Sequence, residues 1–240
     1  MKIILLPGLD GTGKLLQDYR SCLPASVTSR IWELPTDGPQ LPKSFAESLK
    51  LNLSIEEPIF LLAESFSGPI AYQLIQQSEN IVKGLILVSS FFSSPSFLVR
   101  SLGWLPIDKF PIRRPPAWAL RWLCVGSGAS KKCLQYVQDA NASVPKSVVV
   151  KRIKALASLD EPRNAVEIPC LYLQPSDDRL VPKWHAINLG KICSNLRVRT
   201  VQGPHFLLQT RARECADITV EFLEEIENGN LSARPKVHSA

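Results

Sequence analysis

Residues 59–69 read Ile59-Phe60-Leu61-Leu62-Ala63-Glu64-Ser65-Phe66-Ser67-Gly68-Pro69, and this stretch decides the fold. The unbroken apolar run from Ile59 to Ala63 suits a strand buried on both faces. A parallel sheet covered by helices on both sides requires such strands. Pro69 then stands where the first turn of a helix tolerates proline. Between run and helix the chain must turn sharply, presenting one residue at the tip. The residues two before and two after that tip must be small, or their side chains collide with the turn. Ala63 and Ser67 meet this condition around Ser65, in a relaxed form of the nucleophile elbow G-x-S-x-G. A helix N-terminus also favours negative charge developing near Ser65.

On either side of this stretch, short apolar runs alternate with helical patterns. Ile3–Leu6, Val27–Trp32, Leu85–Val88, Cys170–Leu173 and Leu196–Val201 read as further strands. The last alternates Arg197 and Arg199 with Leu196 and Val198, as an edge strand with one exposed face would. Helices are expected over Leu15–Leu23, Ser44–Leu51, Pro69–Gln77, Pro182–Ile192 and Leu208–Glu227. The alternation predicts an α/β fold, a doubly wound and mostly parallel sheet of about six strands. Residues 91–166 break the rhythm. Helical spacing such as Val149, Ile153 and Leu156 fits there, and a crossover needs only a dozen or so residues. The excess predicts a helical cap of residues 91–166 inserted into a core of residues 1–90 and 167–227. Residues 228–240 read as a loose tail.

Three further motifs carry chemistry. Leu6-Pro7-Gly8-Leu9-Asp10-Gly11-Thr12-Gly13 follows the first strand, and a glycine-rich loop there turns backbone N–H groups toward a ligand. Acyl transfer needs two such donors for its oxyanion, and Leu9 and Phe66 are the candidates. The same loop supports a rival, since Gly8 to Lys14 fits most of the phosphate-binding pattern G-x-x-x-x-G-K-[ST]. Leu15 stands where that pattern needs a hydroxyl for magnesium. After the fifth strand comes Ser176-Asp177-Asp178-Arg179, which offers Asp178, or alternatively Asp177, to orient a histidine. After the last strand comes Gly203-Pro204-His205-Phe206. His238 lies in the tail and His185 within a helical pattern, so His205 is the candidate base. The order Ser65, Asp178, His205 is the one this architecture uses.

On LLPGLDGTG, AESFSG, DDRLVP and GPHF the chain resembles the α/β-hydrolase superfamily over nearly its whole length. Pro7-Gly8 replaces the usual His-Gly, and the chain starts at the oxyanion loop, so a shortened sheet is expected. The insertion resembles the helical cap of small carboxylesterases and acyl thioesterases. In layout it is similar to the esterases that cleave pimeloyl-carrier-protein methyl ester. The resemblance implies a serine esterase or thioesterase that works through an acyl-enzyme on Ser65. Other members of the superfamily are non-hydrolytic, and a binding protein could keep the fold without catalysis. No cofactor or metal is required by the chemistry.

Charge and composition narrow the partners. Between Ser94 and Glu161 eleven Lys/Arg face four Asp/Glu, a net +7, while the whole chain is +6. A basic cap suggests an acidic partner such as an acyl carrier protein, to be tested at Lys151, Arg152 and Lys154. Trp104, Trp118 and Trp122, with Leu98, Leu102, Leu105, Leu120 and Leu123, would line an apolar acyl pocket. No nucleic-acid recognition motif is present. No secretion signal and no apolar run of membrane-spanning length is seen, so a cytoplasmic location is expected. The six cysteines lack C-x-x-C pairs or zinc spacing, so reduced thiols and no metal are expected.

Overall fold

The computed structural model describes residues 1–53, 57–78, 80–95, 100–101, 104–105, 107–110, 112 and 114–230. Leu98, Leu102 and residues 231–240 of the expected tail lie outside them. Six strands form one sheet: β1 (Lys2–Leu6), β2 (Thr28–Ile31), β3 (Ile59–Glu64), β4 (Val82–Val88), β5 (Val166–Pro175) and β6 (Cys193–Val201). Their spatial order is β2-β1-β3-β4-β5-β6, and every neighbouring pair is parallel.

The helices of the core are α1 (Gln17–Cys22), α2 (Pro42–Leu51), α3 (Gly68–Gln77), α7 (His185–Ile192), α8 (Leu207–Thr210) and α9 (Ala212–Glu227). Between β4 and β5 lie α4 (Ala117–Leu120), α5 (Lys131–Ala142) and α6 (Lys146–Ala157). The helix expected to open at Pro182 opens at His185, and the one expected from Leu208 to Glu227 is broken between Thr210 and Ala212. Ser130 caps α5 by accepting from the Cys133 N–H, leaving one fewer orphan donor in its first turn.

Successive residues of a strand point to opposite faces, and here both faces are buried. Leu61, Ala63, Leu85 and Leu87 pack with Phe45, Leu49, Ile70 and Leu74 of α2 and α3. Phe60, Leu62, Ile86 and Val88 pack on the other side with Tyr19, Cys215, Phe222 and Leu223 of α1 and α9. This accounts for the continuous apolar runs. Strand β6 is an edge, as expected, but its arginine face is not bare. Arg197 pairs with Glu225 at 2.6 Å and Arg199 with Glu221 at 3.1 Å on α9. Among its apolar residues Val198 is 41% exposed.

The chain runs from β1 outward to β2 and then returns across β1 to β3. The strand order therefore reverses between β1 and β3, and ligands of such sheets bind in the crevice beyond that point. The loop after β1 and the turn after β3 flank it.

Candidate active site

At the end of β3, Ser65 sits with φ of 47°, in the left-handed region that non-glycine residues rarely adopt. The turn that forces this conformation is closed on several sides. Ser67 Oγ donates to the Pro7 carbonyl, and Ser90 Oγ donates to the Ser65 carbonyl at 2.7 Å. A Cβ on Gly68 would lie 2.2 Å from Ser90 Oγ and 2.3 Å from the Phe91 carbonyl oxygen. Glycine is required at 68 because the backbone after β4 approaches so closely.

Three candidate residues from separate strand ends come together. Ser65 Oγ lies 3.0 Å from His205 Nε2, and His205 Nδ1 lies 2.8 Å from Asp178 Oδ2. The histidine and aspartate side chains are 3% and 2% exposed. The other Asp178 oxygen, Oδ1, accepts from the N–H groups of Leu180 and Val181, both at 2.8 Å. Asp177 is exposed and accepts from the Ser176 hydroxyl instead. With strands about 4.8 Å apart, β6 stands about 14 Å from β3, so the His205 loop must reach back across the sheet. Ser89, after β4, donates to the His205 carbonyl at 2.6 Å and holds the loop there. From the insertion, the Cys124 carbonyl accepts from the Phe206 N–H at 2.9 Å.

The two candidate oxyanion donors stand on facing loops. Phe66 is the second residue of a short 3-10 turn, Ser65–Ser67, whose first N–H groups have no intrahelical acceptor. Leu9 lies in a turn closed by the Gly11 N–H donating to the Gly8 carbonyl at 3.0 Å. That bond directs the Gly8 carbonyl into the turn and the Leu9 N–H of the same planar peptide away from it. The phosphate-loop reading has no support in this turn: the Thr12 N–H and hydroxyl both bond Asp10 Oδ2.

Glu64, beside Ser65, is not singled out by the sequence. It is buried, with Oε2 accepting from the Gly8 N–H at 3.3 Å and Oε1 from Gln209 Nε2 at 2.9 Å. Burial pushes its carboxyl up to about 7, against the lowering effect of Gln209. The elbow pattern could have pointed to it, since a carboxylate between two small residues before a sharp turn has no route to solvent.

The tryptophans expected over the site face outward. Trp104, Trp118 and Trp122 are 92%, 71% and 59% exposed. Trp118 and Trp122 wall an open groove of about 990 Å³, shared with Arg121, Arg179 and Arg211, and Ser65 is not among its walls. Leu120 is buried, and Leu123 packs against the same cluster as Leu134, Val137 and Leu15, while Leu105 is exposed. Phe206, whose ring lies 5.7 Å from that of His205, and Leu180 pack in that same cluster, and Leu9 packs against Val148 and Val149 of α6. Arg152, expected on a basic surface, is fully buried, whereas Lys151 and Lys154 are exposed. It faces inward because it lies on the buried stripe of the helix with Val148, Val149 and Ala155, which meets the loops after β1 and β2.

Among the described residues no group of three His, Cys, Asp or Glu is placed to hold a metal ion. No described helix is long and apolar enough to cross a membrane.

Solved structures of similar fold include a hydrolase from Oleispira antarctica, at 16% identity and TM-score 0.79, covering 93% of this chain and 90% of that one. An esterase from Thermogutta terrifontis is similar at 13% identity and TM-score 0.78, covering 94% and 90%. MenH from S. aureus is similar at 13% identity and TM-score 0.80, covering 95% of each chain. Comparison with curated proteins returns no match. In sequence, residues 43–203 match the family described as serine aminopeptidase, S33, a stretch that holds Ser65 and Asp178 and stops two residues short of His205. Two thirds of the chain and an all-parallel, doubly wound sheet thus agree, and the chain belongs to the serine aminopeptidase S33 family of α/β hydrolases.

Proposed function

We propose that the protein is a serine hydrolase that cleaves a carboxylic ester or thioester through an acyl-enzyme on Ser65. The observation that carries this reading is the buried relay from Ser65 Oγ to His205 Nε2 and from His205 Nδ1 to Asp178 Oδ2. In it His205 takes the Ser65 proton as Oγ attacks the acyl carbon, and passes it to the leaving group. Asp178 holds the imidazole in the required tautomer and stabilises its charged form. The N–H groups of Leu9 and Phe66 receive the oxyanion. Water activated by His205 then releases the acid. Leu9, Leu180 and Phe206 offer an apolar wall to an acyl chain.

The test is nitrophenol release from nitrophenyl esters of graded chain length, with acyl-CoA thioesters and an aminoacyl nitroanilide alongside. Ser65→Ala is expected to abolish turnover of whichever class is cleaved. Wild-type rates in that variant would end the serine reading, and preference for the nitroanilide would replace esters by amides.

The net +7 between Ser94 and Glu161 supports a second part of the proposal, an acidic acyl carrier protein as the donor of the acyl group. Lys151 and Lys154 are the accessible charges at which to test it. Replacing both by Gln should slow hydrolysis of a carrier-bound acyl group about tenfold or more at low salt and leave a nitrophenyl ester unaffected. Equal rates on both substrates would remove the carrier.

A further inference from the structure

Arg152, on α6, is the bulkiest fully buried side chain among the described residues. Its guanidinium makes five hydrogen bonds, all to neutral oxygens. Nε donates to Gln40 Oε1 at 3.0 Å, and Nη2 to the Leu34 and Pro35 carbonyls at 3.2 Å each. Nη1 donates to the Leu9 carbonyl at 3.0 Å and the Asp10 carbonyl at 2.8 Å. Burial pulls its pKa down to about 10, with the Asp10 carboxylate opposing. A buried charge without a paired ion is costly, and an apolar residue would fill a helix–loop contact more cheaply. What the guanidinium adds is direction.

The two carbonyls on Nη1 belong to the central residues of the Gly8–Gly11 turn. Within the turn, the Gly11 N–H to Gly8 carbonyl bond sets the peptide that carries the Leu9 N–H, and the two peptides after it have their carbonyls on Arg152. One nitrogen bonding two successive carbonyls orients both peptides that follow Leu9. The contact is tight: Gly11 has φ of 70°, and a Cβ there would fall 2.3 Å from Nη1. On the inner side Glu64 holds the Gly8 N–H. The turn is therefore gripped from the sheet by Glu64 and from the insertion by Arg152.

We infer that Arg152 is a positioning residue for the oxyanion hole, by which helix α6 of the insertion sets the Leu9 N–H on the reacting centre. The inference rests on the serine hydrolase reading. Lysine at 152 keeps the charge but presents a single ammonium, which cannot span five acceptors on two loops.

The experiment measures the second-order rate at which an alkyl fluorophosphonate labels Ser65. Its phosphoryl oxygen takes the place of the oxyanion, and no knowledge of the physiological substrate is needed. Wild type, Ser65→Ala and Arg152→Lys are compared, with thermal melts to identify folded protein and kcat and KM on 4-nitrophenyl butyrate. Arg152→Lys should label roughly 10- to 100-fold more slowly, as a displaced donor predicts. Its kcat should fall by a similar factor, with KM within about twofold. A folded Arg152→Lys that labels at the wild-type rate overturns the inference, whatever its melting temperature. Failure of the wild type to label at Ser65 overturns the serine reading instead. Should Arg152→Lys not fold, Gln40→Met removes the one side-chain acceptor and leaves Arg152 in place. A labelling rate lowered about three- to tenfold there, with KM kept, supports the inference, and an unchanged rate overturns it.

Discussion

Asp177 and Asp178 are adjacent carboxylates with different surroundings, and their separation is a residue-scale matter. Asp178 is enclosed, bonded by two backbone N–H groups and by His205. Asp177 faces solvent beside Ser176. Asp178→Asn should lower kcat by about 10⁴, because the imidazole is then held in the wrong tautomer. Asp177→Asn should change it by less than about threefold. Parallel kinetics on the two variants check both. Glu64 adds a pH effect on stability. Its carboxyl is raised from 4.5 to about 7 in the folded protein, so the folded state holds a proton there that the unfolded chain has lost. Stability from this group is therefore full below pH 4.5 and is lost as pH rises to 7, by about 3 kcal/mol. Glu64→Gln removes this titration. Its stability relative to wild type should improve across pH 4.5–8, and a difference constant with pH in denaturant melts would contradict the raised carboxyl. Glu64 did not stand out in the sequence, and Arg152 did so only as one charge of a basic surface, because a count of charges carries no information on burial.

The elements themselves were legible to within a few residues, since buried strands need apolar residues on both faces and surface helices do not. Phe60 shows the energetic weight of this. It is fully buried on β3, against the α1 and α9 side, and Phe60→Ala should cost about 3–5 kcal/mol in denaturant unfolding. The elbow was legible as a requirement for small residues at 63 and 67. Its tightest constraint is elsewhere, at Gly68, where β4's following backbone closes on the helix. Gly68→Ala should shift Ser65 and reduce turnover by about 100-fold or more, with labelling of Ser65 reduced in step. Strand β6 was read correctly as an edge, but its arginines meet glutamates of α9. A strand's own alternation shows which side chains share a face, not what covers that face.

Across the whole molecule the insertion is bonded to three loops of the site. The Cys124 carbonyl holds the His205 loop, the Trp122 carbonyl accepts from Arg179 beside Asp178, and Arg152 holds the turn around Leu9. The sheet centre should be the most protected part of the chain. In amide hydrogen exchange β3 and β4 should open last and the edges β2 and β6 first; equal protection throughout the sheet would argue against this layering. By itself the sequence determined the strand–helix alternation, the parallel sheet and the order of the loops that carry Ser65, the Asp177-Asp178 pair and His205. Periodicity and turn chemistry are local properties written in neighbouring residues. Only the tertiary structure set Asp178 rather than Asp177 against His205, turned Trp104, Trp118 and Trp122 toward solvent, and buried Arg152 against the Gly8–Gly11 turn. Those outcomes depend on packing between separate segments, 27 residues apart for Asp178 with His205 and 143 for Arg152 with Leu9, which no local pattern records.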